Sequence, residues 1–310
     1  MDAITGLLAG PRAHEAFLLR AELTNPWSMR VLDESPLTLL SVLRGEAWVS
    51  VVGGTPRQLL PGDVALCRGP EHYDVGGAPD AETTYVIHPG QRCALPDGTP
   101  LHDLFMRGPR TWGPVDEGET TLLIGTYEQA GEVGRRTLSA LPPLLVLKSE
   151  EWSGPLLGYL AEEIRRDEPG QTAVLDRLLD LIVIDALRTW FARPEAHPPG
   201  WYLAHSDSVV GAALRLMHDD LAEPWSVASL AKEVGVSRAT LARKFAELVG
   251  QPPMAYLTEW RLTMAADLLL DPDLTLSQVA RQVGYSTPFA LSAAFKRHRG
   301  ISPREHRATA

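Results

Sequence analysis

The 310-residue chain is 45% hydrophobic and 22% charged, an ordinary globular composition and enough length for two or three compact units. Its formal net charge is -10, but a patch needs only local positive charge to hold phosphates, so the overall sign does not exclude a nucleic acid. No stretch approaches ~20 uninterrupted apolar residues, and the N-terminus has no basic segment followed by a long apolar core, so neither a membrane span nor a secretory leader is expected.

The two cysteines, Cys67 and Cys93, do not suggest a secreted disulfide framework, and a cytoplasmic protein is expected. The acidity is uneven: residues 1–205 carry 17 basic and 28 acidic side chains, and residues 206–310 carry 12 and 11. From Gly235 onward the chain is locally basic, through Arg238, Arg243, Lys244, Arg261, Arg281, Lys296, Arg297, Arg299, Arg304 and Arg307.

Residues from about 15 to 145 read as β-rich. The runs at 37–54 and 57–75 mix alternating and apolar segments with turns at Gly53-Gly54 and Pro61-Gly62-Asp63, as in a sandwich or small barrel. The Gly- and Pro-rich stretch at about 89–120 predicts a long irregular insertion. At 155–193 the period changes. Leu156, Leu157, Leu160 and Ile164, then Leu175, Leu178, Leu179, Ile182, Val183, Ala186 and Leu187, predict two helices broken at Asp167–Gly170. The Pro-rich Arg193–Gly200 predicts a linker.

The C-terminal third contains an internal repeat. SVASLAKEVGVS (226–237) and TLSQVARQVGYS (275–286) align Leu230 with Val279, Ala231 with Ala280, Val234 with Val283 and Gly235 with Gly284. Ser226 and Thr275 are candidate N-caps. The alanines permit close approach of a second helix, and each glycine suits a left-handed turn, with Val236 and Tyr285 beneath it. These are the marks of two helix-turn-helix units, with recognition helices at about 238–248 and 287–298. Pro253–Leu270 between them predicts one continuous helix.

The region 209–307 resembles the DNA-binding domain of the AraC/XylS family of bacterial regulators. The resemblance rests on SVASLAKEVGVSRATLARKFAELVGQPPMAYLTEWRLTMAADLL and LSQVARQVGYSTPFALSAAFKRHRGISPREHR. The N-terminal part resembles, more weakly, the cupin-type sensory domain of many members, through VLRGEAWVSVVGG and LPGDVALCRGPEH. The expected architecture is α+β: a cupin-like β-barrel at 1–150, a helical connector, dimerisation element and linker at 151–200, and an all-α domain with two helix-turn-helix motifs at 201–310. The expected function is sequence-specific binding of double-stranded DNA in transcription regulation, not enzymatic catalysis.

By resemblance and helix position, Arg238, Thr240, Arg243 and Lys244 are the first unit's DNA-contact candidates. Arg243 is placed at a base, since a guanidinium fork matches guanine O6 and N7. Arg238 and Lys244 equally suit phosphate. In the second unit the candidates are Thr287, Pro288, Phe289 and Ser292, with Lys296 and Arg297 on phosphate. Ala293 stands where family members often carry an Arg, so the second unit is expected to rely on thymine methyls and DNA shape.

A small organic effector in the β domain is the expected signal, with Trp27, Arg30, Trp48, His72 and Tyr85 as lining candidates. Cys67 and Cys93, beside Arg68 and Arg92, leave a redox-sensing alternative open. A metal-dependent cupin enzyme fused to the DNA-binding domain is the third reading. It would need about three convergent ligands, and only His72 lies near a cupin metal motif, with His88 and His102 in the insertion. No metal or other cofactor is therefore expected. A homodimer is expected from the helices at 155–192. Contact with RNA polymerase would activate and occlusion of the promoter would repress; both remain open.

Overall fold

In the computed structural model, which describes residues 17–101, 105–128, 132–152 and 155–308, the apolar runs of the N-terminal region become strands of two sheets. The N-terminal residues 1–16, where no leader is expected, and His102 lie outside the described residues. The larger sheet has the order β10 (Met106–Gly108), β11 (Thr111–Trp112), β1 (Phe17–Leu23), β12 (Thr120–Tyr127), β3 (Leu37–Arg44), β6 (Val64–Arg68) and β13 (Leu144–Leu147). The smaller has the order β5 (Arg57–Leu59), β4 (Ala47–Val51), β7 (Tyr73–Gly76), β2 (Ser28–Val31), β8 (Tyr85–His88) and β9 (Arg92–Ala94).

Alternation along each strand sends one face of each sheet into a shared core. Leu40, Val42, Leu122 and Trp112 of the larger sheet meet Met29, Val31, Val49 and Val75 of the smaller. Neither sheet closes on itself, so the expected barrel is two open sheets around one core. The stretch at 89–120, expected to be irregular, contributes β9, β10 and β11. Their backbone groups are satisfied by pairing: β9 with β8, and β11 with both β10 and β1. Local composition carries no trace of such distant partners.

The outer face of the larger sheet is covered by a helical hairpin, α2 (Pro155–Glu163) and α3 (Gln171–Phe191). Gly170 makes the break between them with φ 86°, a conformation cheap only for glycine. Gly125 in β12 lets the helix close in: a Cβ there would lie 2.6 Å from Cδ1 of Leu179. The Tyr127 hydroxyl donates to Asp180 Oδ1 at 3.1 Å. These helices and the sheets form one compact unit.

The second unit comprises residues 197–308 together with 132–140. Its helices are α1 (Glu132–Leu138), α4 (Gly200–Ala204), α5 (Val210–Asp219), α6 (Val227–Glu233), α7 (Arg238–Val249), α8 (Pro253–Leu268), α9 (Leu276–Gln282), α10 (Pro288–Arg299) and α11 (Pro303–Ala308). The long helix α8 carries buried Tyr256, Leu257, Trp260, Leu262, Ala265 and Ala266, so it serves as the common spine of both repeats. Helix α1 packs on α8. Arg136 reaches Glu259 at 3.1 Å and lies over the Tyr256 ring, and the Glu132 carboxylate pairs with Arg299 at 3.0 Å. No described helix is long and apolar enough to cross a membrane.

Candidate nucleic-acid interface and sensory cavity

The two repeats build the same turn from the same local bonds. Ser226 Oγ accepts from the Ser229 N–H at 3.0 Å, and Thr275 Oγ1 accepts from the Gln278 N–H at 3.3 Å, each within a capping box. At the other end of each short helix the chain reverses over a glycine, Gly235 at φ 72° and Gly284 at φ 75°. The Val236 N–H donates to Ala231 O at 2.9 Å, and the Tyr285 N–H donates to Ala280 O at 2.8 Å. With the Gly235 and Gly284 N–H groups bonded to Lys232 and Arg281 carbonyls at 3.2 Å, both turns are Schellman closures that satisfy the orphan carbonyls of a helix end. The second helices are then capped by Ser237 and Thr287, and each stops at a left-handed glycine, Gly250 or Gly300.

These caps fix which side chains face outward. On α7, Leu241 and Phe245 are buried, while Arg238 and Arg243 are exposed and Thr240 is half-buried against Ser237. Arg243 lies 2.9 Å from Glu247 on the same open face. Lys244 turns away, pairing with Asp207 at 3.2 Å, and Asp207 in turn accepts from the Val209 and Val210 N–H groups at the start of α5. In this structure Lys244 braces the start of α5 against α7.

On α10, Leu291, Ala294 and Phe295 are buried. Thr287, Phe289, Ala293, Lys296 and Arg297 are exposed, and Pro288 and Ser292 are half-buried. Phe289 is 83% exposed. A phenyl ring standing in water at the start of a helix has no part in holding the fold.

The basic residues of this region divide the same way. Arg261 donates to Leu221 O and Glu223 O, with burial lowering its pKa. Arg307 donates to Leu274 O, and Arg299 pairs with Glu132 over the Phe295 ring. With Lys244, these four hold the unit together. Arg238, Arg243, Arg281, Lys296, Arg297 and Arg304 are exposed.

The sheet unit contains a partly open cavity whose empty space, solvent at its mouth included, is about 620 Å³. Its walls are mostly apolar, among them Leu19, Met29, Val31, Ile87, Met106 and Ile124. Asp33, Tyr73, Gln91, Cys93 and Thr126 supply the polar atoms. None of the five lining candidates chosen from sequence belongs to this set. Arg30 and Trp48 occupy the opposite face of β2 and β4 from Met29, Val31 and Val49, and Arg30 is paired outside with Asp74 at 2.9 Å. His72 is largely solvated, 3.9 Å from Glu34, while its neighbour Tyr73 lines the cavity. Trp27 is core. Tyr85 stands behind the wall, its ring edge-on to Phe105 and to the lining Trp112.

Comparison with known proteins bears on both units. A cupin family profile matches residues 2–192, and a helix-turn-helix domain profile matches residues 230–309. A protein of Streptomyces antibioticus named as an AraC-like transcription regulator is 34% identical over 300 residues, covering 93% of each chain. The chain belongs to the AraC family. Another AraC-like regulator, from Streptomyces lividans, is 30% identical over 91% of this chain and 90% of its own. The DNA-binding domain of AdpA, solved in complex with a target DNA, is 33% identical over 34% of this chain and 93% of that one, at a TM-score of 0.32. This AraC-family chain is thus a DNA-binding transcription regulator with an N-terminal cupin domain.

Both cysteines of this AraC-family protein are free and buried. Burial pushes the Cys67 thiol well up, with the nearby Asp33 adding to the shift, and pushes Cys93 up to about 12. The adjacent arginines do not lower either thiol, because Arg68 pairs with Glu71 and Arg92 donates to Pro89 O. The thiolate is the reactive form, so in this setting both thiols are held in the unreactive form. Among the described residues no group of three or more His, Cys, Asp or Glu is placed to hold a metal ion.

Proposed function

We propose that this AraC-family regulator reads its operator with α7 and α10 and is controlled by a small-molecule effector in the cavity of the sheet unit. The observation that carries the reading is the split among the basic and aromatic residues of the repeats. Arg238, Arg243, Phe289, Lys296 and Arg297 lie open on the two recognition helices, while Lys244, Arg261, Arg299 and Arg307 are spent inside. Arg243 serves base reading and Phe289 a thymine methyl, with Lys296, Arg297 and Arg238 on phosphate. Thr240, Thr287, Pro288 and Ser292 edge the same helix starts. Helix α8, 16 residues and about 24 Å long, runs between the two units and lets both address one DNA face.

A route from effector to DNA is supported by α1. In sequence it lies between β12 and β13, yet its side chains pack in the helical unit against α8 and α10. A ligand that prefers one arrangement of the sheet unit would shift how the helical unit is held. We place the protein in the cytoplasm, where its DNA partner is, and as a homodimer. On α3, Val174 and Leu181 are exposed apolar residues seven apart. An antiparallel pairing of two copies of α3 centred on Leu181 would bring Arg177 of one copy opposite Asp185 of the other.

The test is selection of genomic fragments by the full-length protein at two salt concentrations, followed by operator binding with and without a low-molecular-weight extract of the native cells. Promoter-proximal sites with steep salt dependence are expected. The extract should shift operator affinity of the wild type and not of Ile124→Trp, which fills the cavity. An extract that shifts both proteins alike would remove the cavity from the mechanism, and one that shifts neither would remove the effector.

A further inference from the structure

The cavity offers more than apolar room, because its walls include a carboxylate at one corner. Asp33 is the only charged residue among the described lining residues, and no Arg, Lys or His is among them. Its carboxylate accepts from the Ser35 N–H at 3.2 Å, the Ser35 hydroxyl at 2.8 Å and the Gln91 side-chain amide at 2.8 Å. A carboxylate has about four acceptor positions, so three donors leave it able to take one more.

The corner is also built at a conformational cost. The non-glycine residues at positive φ among the described residues are Glu34, at 57°, and Gln91, at 56°. One adjoins Asp33 in sequence and the other holds it by hydrogen bond. Side chains pay to adopt that backbone, and here it brings together two groups 58 residues apart. Trp112 stands in the same wall, 4% exposed, and its buried indole N–H has no acceptor among the described residues.

We infer that the cavity takes a neutral, largely apolar molecule bearing a hydroxyl group, and that it rejects carboxylates of the same size. This rests on the effector reading above and deepens it. The hydroxyl hydrogen donates to Asp33, and its oxygen can accept from Trp112. A ligand carboxylate would face the Asp33 charge with no cation in the wall to offset it. Like charges in an apolar enclosure are strongly unfavourable. An ammonium head could pair with Asp33 but has no lone pair to offer Trp112.

The experiment is calorimetric titration of the full-length protein with three probes of equal chain length: 1-octanol, octylamine and octanoate. Octanol is expected to bind tightest, and octanoate about ten-fold or more weaker. Asp33→Asn should bring octanoate to within about three-fold of octanol, since it removes the repulsion and keeps the shape. Trp112→Phe, which keeps the ring and loses the N–H, should weaken octanol about five-fold. Thermal unfolding of each variant checks that it is folded, and the two variants test different atoms of one site.

Octanoate binding as tightly as octanol, or octylamine binding more tightly, would overturn the hydroxyl assignment. So would no binding by any probe while the cell extract still shifts operator affinity, and in that case the effector reading stands. If the extract also fails to shift the wild type, it is the effector reading that falls.

Discussion

Replacing Phe289 by alanine separates a DNA contact from a structural role in one experiment. Fully burying a phenylalanine is worth about 1.5–3 kcal/mol, but this ring is 83% exposed in the folded chain. Little of that value is realised in folding, so Phe289→Ala should change unfolding free energy by no more than about 0.5 kcal/mol. Almost all of it remains available to a partner. A thymine methyl or sugar that covers half of the ring would contribute about 1 kcal/mol, or about five-fold in operator Kd. The ring carries no charge, so the slope of log affinity against log salt should not move. The assay is fluorescence anisotropy of an operator duplex and a shuffled duplex at several salt concentrations, with thermal unfolding run in parallel. Five-fold weaker operator binding, equal binding to shuffled DNA and an unchanged Tm are expected. An unchanged operator Kd would refute the contact, and a Tm lowered by more than about 5 °C would mean that the ring supports the fold after all.

Arg243→Ala should cost about 1–3 kcal/mol at the operator and relax specificity at one base position, as read by randomised-site selection. Glu247→Ala should tighten binding slightly, because it releases Arg243 from an exposed pair worth only about 0.3–0.5 kcal/mol. Lys296→Ala should weaken specific and nonspecific DNA alike and reduce the salt slope by about 0.9, the share of one phosphate; an unmoved slope would take it off the backbone. Burial has raised both thiols, so Cys67 and Cys93 should not react with Ellman's reagent at pH 7.5 in the folded protein and should react freely in denaturant. Hydrogen bonds from the Val210 and Val209 N–H groups, together with Lys244, hold the Asp207 carboxyl below its ordinary value of 3.8. A lowered folded-state value stabilises above the unfolded one and is lost as pH falls through it. Asp207→Asn should therefore be less stable than wild type near neutrality, and in acid titration the gap should begin to close only below about pH 4 and vanish once pH has passed the lowered folded-state value.

The helix-turn-helix pair was legible because everything that makes it is local. The caps at Ser226, Ser237, Thr275 and Thr287 bond three residues ahead, and the closures at Gly235 and Gly284 reach back no more than five. Such bonds depend on residue type at fixed short spacing, and duplication let each copy check the other. The orientation of the cations was not legible. Arg243 and Lys244 are neighbours of the same charge, and only the packing of α5 against α7, which places Asp207 beside one of them, turns Lys244 inward.

In the sheet unit the limits of sequence are sharper. A strand's side chains alternate between faces, so an error of one residue moves a candidate from the cavity to solvent. Arg30 and His72 miss the cavity by one position, beside Met29, Val31 and Tyr73, which line it. Asp33 and Gln91 meet only because β2 and β8 pair in parallel and carry the two loops to one corner. Nor does composition reveal that residues 132–138, bracketed by strands, pack with the DNA-binding helices. The repeat, its turns, its caps and the family could be read from the residues alone, because these depend on contacts within a few residues. Which strand faces meet around the cavity, which charges are used up inside and where α1 docks were decided by tertiary structure, because each depends on partners tens of residues away brought together by sheet pairing and helix packing.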